Sequence, residues 1–279
     1  MNLLLIEAEE LIADGRVRLT DDRAAHVRGV LGARIGDTLR IGQIDGPVGV
    51  GTVTGIDTDA VTLTCAFEAT LPPRPRVDVL LAVPRPKVMR RLWAQLAALG
   101  VGQVILTNAE KVERDYFDSH VLQPDGYRPL LLEGLQQAKD TRVPVVSIHK
   151  RFRVLVEDDL DALAPATRRI VAHPGSPVSL SEAASRLPAG DRVLVAIGPE
   201  GGWNDFELGR LDAHGFTRAS LGERTLTTTG PLGWFGRAGE FLREVRNEMK
   251  RVTWPSQREV YATTLVVILT SALFGMYLW

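Results

Sequence analysis

Apolar and polar positions alternate with two different rhythms along this chain. Through about residue 70 the period is two. In "VTLTCAF" (61–67), Val61, Leu63, Cys65 and Phe67 fall on one side and Thr62 and Thr64 on the other, as in a half-buried strand. Asp45-Gly46, between "TLRIGQI" and "VGVGTVTGI", predicts a hairpin, Gly36-Asp37 a turn, and Asp21 to Leu31 one short helix. "LPPRPR" (71–76) reads as a stiff proline linker and a domain boundary. Beyond it, short apolar runs alternate with helical patterns. The runs 77–83, 103–107, 144–148, 169–172, 193–198 and 217–221 predict six strands. A helix between the first two presents Val88, Leu92, Leu96 and Leu99 on one face and stops at Gly100. Ser179 with Glu182, and Asn204 with Glu207, have capping-box spacing for two later helices. This order predicts an α/β domain with a mostly parallel sheet covered on both faces.

The last forty residues change character again. In "EFLREVRNEMKRVTWPSQRE" (240–259), Phe241, Val245, Met249 and Val252 form one apolar stripe ringed by Arg243, Arg246, Lys250 and Arg251, an amphipathic helix suited to a membrane surface or a partner. Pro255 breaks it. Val260 to Trp279 then runs 20 residues without a charge, about the length that crosses a bilayer. Tyr261 at one end and Tyr277 and Trp279 at the other sit where interfacial aromatics belong. The expectation is one transmembrane span, with Lys250, Arg251 and Arg258 keeping the body of the chain on the cytoplasmic side. "MNLLLIEAEE" lacks the basic start of a signal peptide.

Composition narrows the chemistry. A formal net charge of −1 and a pI near 6.5 give no global attraction to nucleic acid, so any such binding rests on local patches. The single cysteine, Cys65, excludes an internal disulfide, and five scattered histidines without a metal-ligand spacing predict no metal. The chemistry-bearing stretch is "VLVAIGPEGGWNDFELGRLDAHGF". It reads as a buried strand, a glycine-rich loop and a capped helix, which places a ligand at the carboxyl edge of the sheet. Gly198, Gly201 and Gly202 with Pro199 let the backbone approach that ligand. The loop lacks both phosphate-binding glycine patterns, and Glu200 repels a pyrophosphate, so a nucleoside with a cationic centre suits it better. A plain structural turn is the alternative.

Together with "HGFTRASLGERTL", this loop resembles the motifs of the SPOUT methyltransferases, specifically the RsmE-type family that methylates uridine N3 in small-subunit (16S) ribosomal RNA. "HVRGVLGARIGD", "LGVGQVILTNAEK", "QQAKDTRVPVV" and "VAHPGS" extend the resemblance over residues 1 to about 226. It implies a PUA-like RNA-binding β-barrel over 1–72, a trefoil-knot α/β domain over 73–229, a homodimer, and S-adenosylmethionine held by three loops. By position these loops carry His173, then Gly198, Pro199, Glu200, Gly201 and Gly202, then Leu221, Gly222, Arg224 and Leu226. Arg142, Gln137 and Arg224 become candidate catalytic contacts to the target base, although the first two read equally well as a surface arginine and a helix glutamine. The family segment often has arginine where this chain has Asp140. For RNA the candidates are Arg16, Arg18, Arg23, Arg28 and Arg34 near the N-terminus, and Lys87, Arg90 and Arg91 on the polar face of one helix. A solvated face interspersed with acids is the alternative. Trp93, His26 and His214 are expected to be structural.

"FLREVRNEMKRVTWPSQREV" and the span after it resemble the SecE subunit of the protein-translocation channel, over 240–279, with 230–239 as a linker. That resemblance implies channel subunits as partners. At the junction, Leu226 is followed by "TTTGPLGWFG", where the methyltransferase family continues with an arginine, a glutamate and a knot-threading helix. Three readings follow: a membrane-tethered RNA methyltransferase, a translocase subunit with an inactive methyltransferase-like part, or a join of two coding regions.

Overall fold

The computed structural model describes residues 3–12, 14–165, 168–185 and 191–220. The third predicted cofactor loop (Leu221, Gly222, Arg224, Leu226), the linker, the amphipathic helix and the membrane span lie outside the described residues. Among the described residues no helix is long and apolar enough to cross a membrane.

The alternating N-terminal region folds as a five-stranded sheet. Its strands are β1 (Leu4–Ile6), β2 (Arg16–Leu19), β3 (Thr38–Gln43), β4 (Val48–Ile56) and β5 (Val61–Phe67), in the order β1-β3-β4-β5-β2. β3 and β4 form the predicted hairpin, with Asp45 in the left-handed region at φ 54°. Val61 and Leu63 are buried, and Cys65 and Phe67 pack against the same core, so the period of two along β5 is real. Helix α1 (Asp22–Gly29) begins at Asp21, whose carboxylate accepts from the Arg23 amide, and buries Ala24 and Val27 on the sheet.

All six later strands form, and every neighbouring pair is parallel. They are β6 (Val77–Ala82), β7 (Val101–Thr107), β8 (Val145–His149), β9 (Arg168–Ala172), β10 (Val193–Ile197) and β11 (Phe216–Ala219), in the order β11-β9-β10-β6-β7-β8. β6 and β10 are buried at every residue, which is why they read as unbroken apolar runs, whereas the edge strand β8 is partly exposed. β10 lies between β6 and β9, two strands that precede it in the chain.

The helices are α2 (Pro86–Ala98), α3 (Pro124–Ala138), α4 (Phe152–Val154) joined through a π-turn to α5 (Leu160–Leu163), α6 (Leu180–Ala183) and α7 (Asp205–Ala213). The buried stripe of α2 is Met89, Leu92, Trp93, Leu96 and Ala97, about one position round from the predicted stripe, with Val88 only half-buried. The cause is Trp93. Its ring is fully buried against Tyr127, and its indole N–H donates to the Val121 carbonyl at 2.9 Å. Gly100 ends this segment at φ 72°, as predicted.

The two sheets are bolted together by the turn before β8. The Thr141 hydroxyl, fully buried, donates to the Gly46 carbonyl at 2.6 Å, and the Asp45 amide donates to the Thr141 carbonyl at 2.8 Å. Arg142 completes the bolt by donating to the carbonyls of Pro72 (2.8 Å) and Asp45 (2.9 Å).

Candidate active site

Because the sheet is parallel, all its carboxyl ends share one edge, and the loop leaving β10 stands at its centre. That loop wraps a buried post, Trp203, which packs on Phe152 at 5.4 Å between ring centroids. Gly198 passes so close that a Cβ there would meet the Trp203 ring at 3.0 Å. Gly202, at φ 73°, donates its amide to the Pro199 carbonyl at 2.8 Å and closes the turn.

The loop is held from three sides. On the α7 side, Asn204 and Glu207 form both halves of the predicted capping box. Glu207 is buried, and its carboxylate also accepts the Glu110 amide at 2.7 Å. From the segment after β7, the Lys111 ammonium donates to the Gly201 carbonyl at 2.6 Å, and the Glu110 carboxylate accepts from the Asn204 side-chain amide. From the segment after β6, the Arg85 guanidinium stands 4.0 Å from the Glu200 carboxylate and also bonds Tyr116. Burial, then the Glu113 carboxylate that accepts its hydroxyl at 2.9 Å, push the Tyr116 phenol above the ordinary tyrosine range. By contrast the Ser179–Glu182 spacing yields half a box, with Ser179 accepting from the Glu182 amide at 3.2 Å.

Two of the three predicted cofactor loops therefore meet at one edge. His173 follows β9, which is hydrogen-bonded to β10, and its amide donates to the Ala219 carbonyl of β11 at 3.0 Å. The third predicted loop lies outside the described residues, which end at Ser220, just after β11, the strand paired with β9. Sequence reasoning missed Arg85, Glu110, Lys111 and the hub Glu207; "NAEK" after an apolar strand was the available signal. It also missed a set of buried polar atoms without a protein partner near this edge: Thr107 Oγ1, Asn108 Oδ1, Ser147 Oγ, His149 Nε2 and Trp203 Nε1. Thr107 and His149 face each other across β7 and β8.

The structure does not bring the other catalytic candidates to this loop. Gln137 is exposed in the last turn of α3, and Arg142 precedes β8, so within one chain both lie toward the amino edge of the sheet. Asp140, in place of the family's arginine, accepts the amides of Thr141 (2.7 Å) and Arg142 (3.0 Å) and so supports the bolt. Arg224 lies outside the described residues.

Most N-terminal RNA candidates are already engaged. Arg16 pairs with Asp14 at 2.5 Å, Arg18 with Asp57 at 3.5 Å, and Arg28 donates to the carbonyls of Ala24 and Asp57, each at 3.3 Å. Arg23 is largely buried between Glu10, Asp21 (2.7 Å) and the Leu5 carbonyl (2.8 Å). Its guanidinium holds both carboxylates below their usual range, and theirs hold it above its own. Arg34, Lys87, Arg90 and Arg91 are exposed. Among the described residues no group of His, Cys, Asp and Glu is arranged to hold a metal.

Comparison with known proteins now bears on this geometry. Residues 72–231, more than half of the chain, match the RNA methyltransferase domain family. The chain belongs to that family. A relative of this methyltransferase is ribosomal RNA small subunit methyltransferase E of Treponema pallidum, 29% identical over 238 residues, which are 82% of this chain and 86% of that protein. In three dimensions it is similar to a ribosomal RNA small subunit methyltransferase E from Neisseria gonorrhoeae solved with S-adenosyl methionine bound. The TM-score is 0.64 at 18% identity, over 86% of this chain and 98% of that one, which shows an α/β SPOUT methyltransferase fold. The same chain continues into a second match, residues 239–279, to the SecE/Sec61-gamma subunits of the protein translocation complex. There it is 52% identical over 40 residues to the translocase subunit SecE of Aquifex aeolicus, 14% of this chain and 62% of that protein.

Proposed function

We propose that this methyltransferase binds S-adenosylmethionine at the carboxyl edge of β9, β10 and β11 and methylates N3 of a uridine in small-subunit ribosomal RNA. The observation that carries the reading is the glycine loop after β10, a backbone cradle in which a Cβ on Gly198 would press on Trp203 at 3.0 Å. Three neighbouring segments hold it open, inside a domain of the RNA methyltransferase family. Its relatives' names support the ribosomal substrate.

When bound, S-adenosylmethionine supplies an electrophilic, cationic methyl donor. The chain would position it with His173 and with Gly198 to Gly202, Glu200 among them, and by family motif also with Leu221, Gly222, Arg224 and Leu226, which lie outside the described residues. Fixing donor and base in line supplies much of the acceleration in such a displacement. The proton on N3 has to pass to a base or to solvent water, and Arg224, which lies outside the described residues, would donate to the resulting anion. Arg142 and Gln137 lie toward the amino edge within one chain, where Arg142 fixes the turn that joins the two sheets.

The division is a PUA-like barrel over 1–72, the knotted catalytic domain over 73–229, and a tail over 240–279 that anchors the body to the membrane beside translocation-channel subunits. The test is methyl transfer from labelled S-adenosylmethionine to small ribosomal subunits lacking the modification, followed by nucleoside analysis. Label in 3-methyluridine is expected; label in another nucleoside, or none, overturns the assignment. A second reading, a translocase subunit with an inactive body, is favoured by one observation. "TTTGPLG" stands after Leu226 where the family has its arginine and glutamate. It predicts full membrane assembly with no transferred label.

A further inference from the structure

Helices α2 and α3 pack along each other, and at their N-terminal ends a cleft of about 620 Å³ opens between them. Two glycines set its shape. A Cβ on Gly134 would lie 2.1 Å from the Ala94 carbonyl oxygen, so the helices touch through backbone beyond the cleft. A Cβ on Gly126 would lie 2.1 Å from the His120 carbonyl oxygen, so the turn before α3 is drawn under it as a floor. Pro86, Pro129 and Leu130 give apolar walls, and no Phe, Tyr or Trp lines the cleft. Lys87 and Arg90 stand in its lining, and Arg91 follows on the same helical face. All three are exposed, and none has an ion pair among the described residues. The one acid in the cleft, Asp125, is turned onto His120 at 3.1 Å.

We infer that this α2 face, rather than the arginines of the N-terminal sheet, seats the phosphate backbone of single-stranded RNA. The inference rests on the RNA-methyltransferase reading above. Charge carries it: in a chain of net charge −1, two unpaired cations line one cleft and a third, Arg91, flanks them on the same helix, while Arg16, Arg18, Arg23 and Arg28 are already bound by carboxylates or carbonyls. Without an aromatic in its walls the cleft offers no stacking platform, so it reads backbone charge and not base identity.

The test is the salt dependence of binding of a labelled oligouridine to the full-length chain in non-ionic detergent. Each phosphate contact contributes a slope of about −0.7 in log K against log salt for single strands. K87A/R90A/R91A should therefore lose about 2 from the slope, equivalent to about 20-fold in the affinity change between roughly 50 and 200 mM salt. K87R/R90K/R91K should keep the slope, and R16A/R18A/R28A should leave it within about 0.5. A slope unchanged in the α2 variant, or lost in the N-terminal one, overturns the inference, as does a wild-type chain that binds no oligouridine. If a second copy of the chain covers this face, the α2 variant alters oligomeric state and not slope, and the inference falls. Calorimetric binding of S-adenosylmethionine, run on the same samples, separates these failures from failure of the methyltransferase reading.

Discussion

Gly134→Ala sets two effects of known size against each other. In an isolated helix the change is favourable by about 1 kcal/mol, because glycine has more backbone freedom to lose. In α3 the new Cβ would sit 2.1 Å from the carbonyl oxygen of Ala94, and real Cβ contacts essentially never fall below 3.0 Å. The obstacle is backbone, so no rotamer change relieves it, and α3 has to move away from α2 by about 0.9 Å. Leu131 and Leu135 on α3 and Trp93 on α2 are at most 1% exposed, so that movement opens a close-packed seam. Overpacking of this kind costs about 1–3 kcal/mol, and the steric effect outweighs propensity. Gly209→Ala is the internal control. It lies in α7 with nothing within 4 Å of a built Cβ, so it should stabilise by about 0.4–1 kcal/mol. Urea unfolding followed by tryptophan fluorescence reads both. With the propensity gain set against the steric cost, the Gly134→Ala midpoint should fall, by up to about 1 M for an m-value near 2 kcal/mol/M, and the Gly209→Ala midpoint should rise. If Gly134→Ala proves as stable as the parent, the close α2–α3 approach is wrong, and the shape given to the cleft is wrong with it.

Three further outcomes are expected. Arg142→Ala removes two hydrogen bonds from a charged donor to Pro72 and Asp45. It should destabilise by about 2 kcal/mol and expose the 71–76 linker to protease, whereas an unchanged melting temperature with lost turnover would make Arg142 a substrate contact instead. Lys111→Met, which frees the Gly201 carbonyl, should weaken S-adenosylmethionine binding about tenfold on the scale of one charge-assisted hydrogen bond. Lys111→Arg should recover part of it, and equal loss in both variants would assign the effect to general disruption. Glu10 and Asp21 titrate below their usual values, chiefly through hydrogen bonds from Arg23. Depressed carboxylates add stability above their unfolded values of 4.5 and 3.8, and that stability is lost as pH falls through the folded ones. Urea midpoints should therefore drop steeply below about pH 4.5, and Arg23→Met should flatten that drop; an identical pH profile in the variant would remove Arg23 as its source.

What could be read from the sequence followed burial and local spacing. β6 and β10 are covered on both faces, so their apolar runs were unambiguous, and Asp45-Gly46 and the Asn204–Glu207 box are encoded within a few residues. Contacts between distant parts of the chain were not readable. Arg142 looked like a free arginine because its partners lie 70 and 97 residues away. Arg23 looked like one of a basic cluster, yet folding places Glu10 and the Leu5 carbonyl on its guanidinium. The stripe on α2 was misplaced by one position because periodicity weighs Val88 and Leu99 like any aliphatic, whereas Trp93 needs both burial and an acceptor for its N–H. Glycine-loop chemistry was visible as "GPEGG", but Lys111 and Glu110, which help to hold it, come from a segment about ninety residues earlier.

The central claim is that the carboxyl edge around Gly198 to Gly202 forms a working nucleoside site on a chain whose family motif changes after Leu226. Calorimetric titration of the full-length chain with S-adenosylmethionine, alongside a Gly198→Val variant, addresses it most directly. Saturable one-to-one binding by the parent, abolished in a variant that still folds, is the predicted result. A folded parent that takes up no S-adenosylmethionine would contradict it.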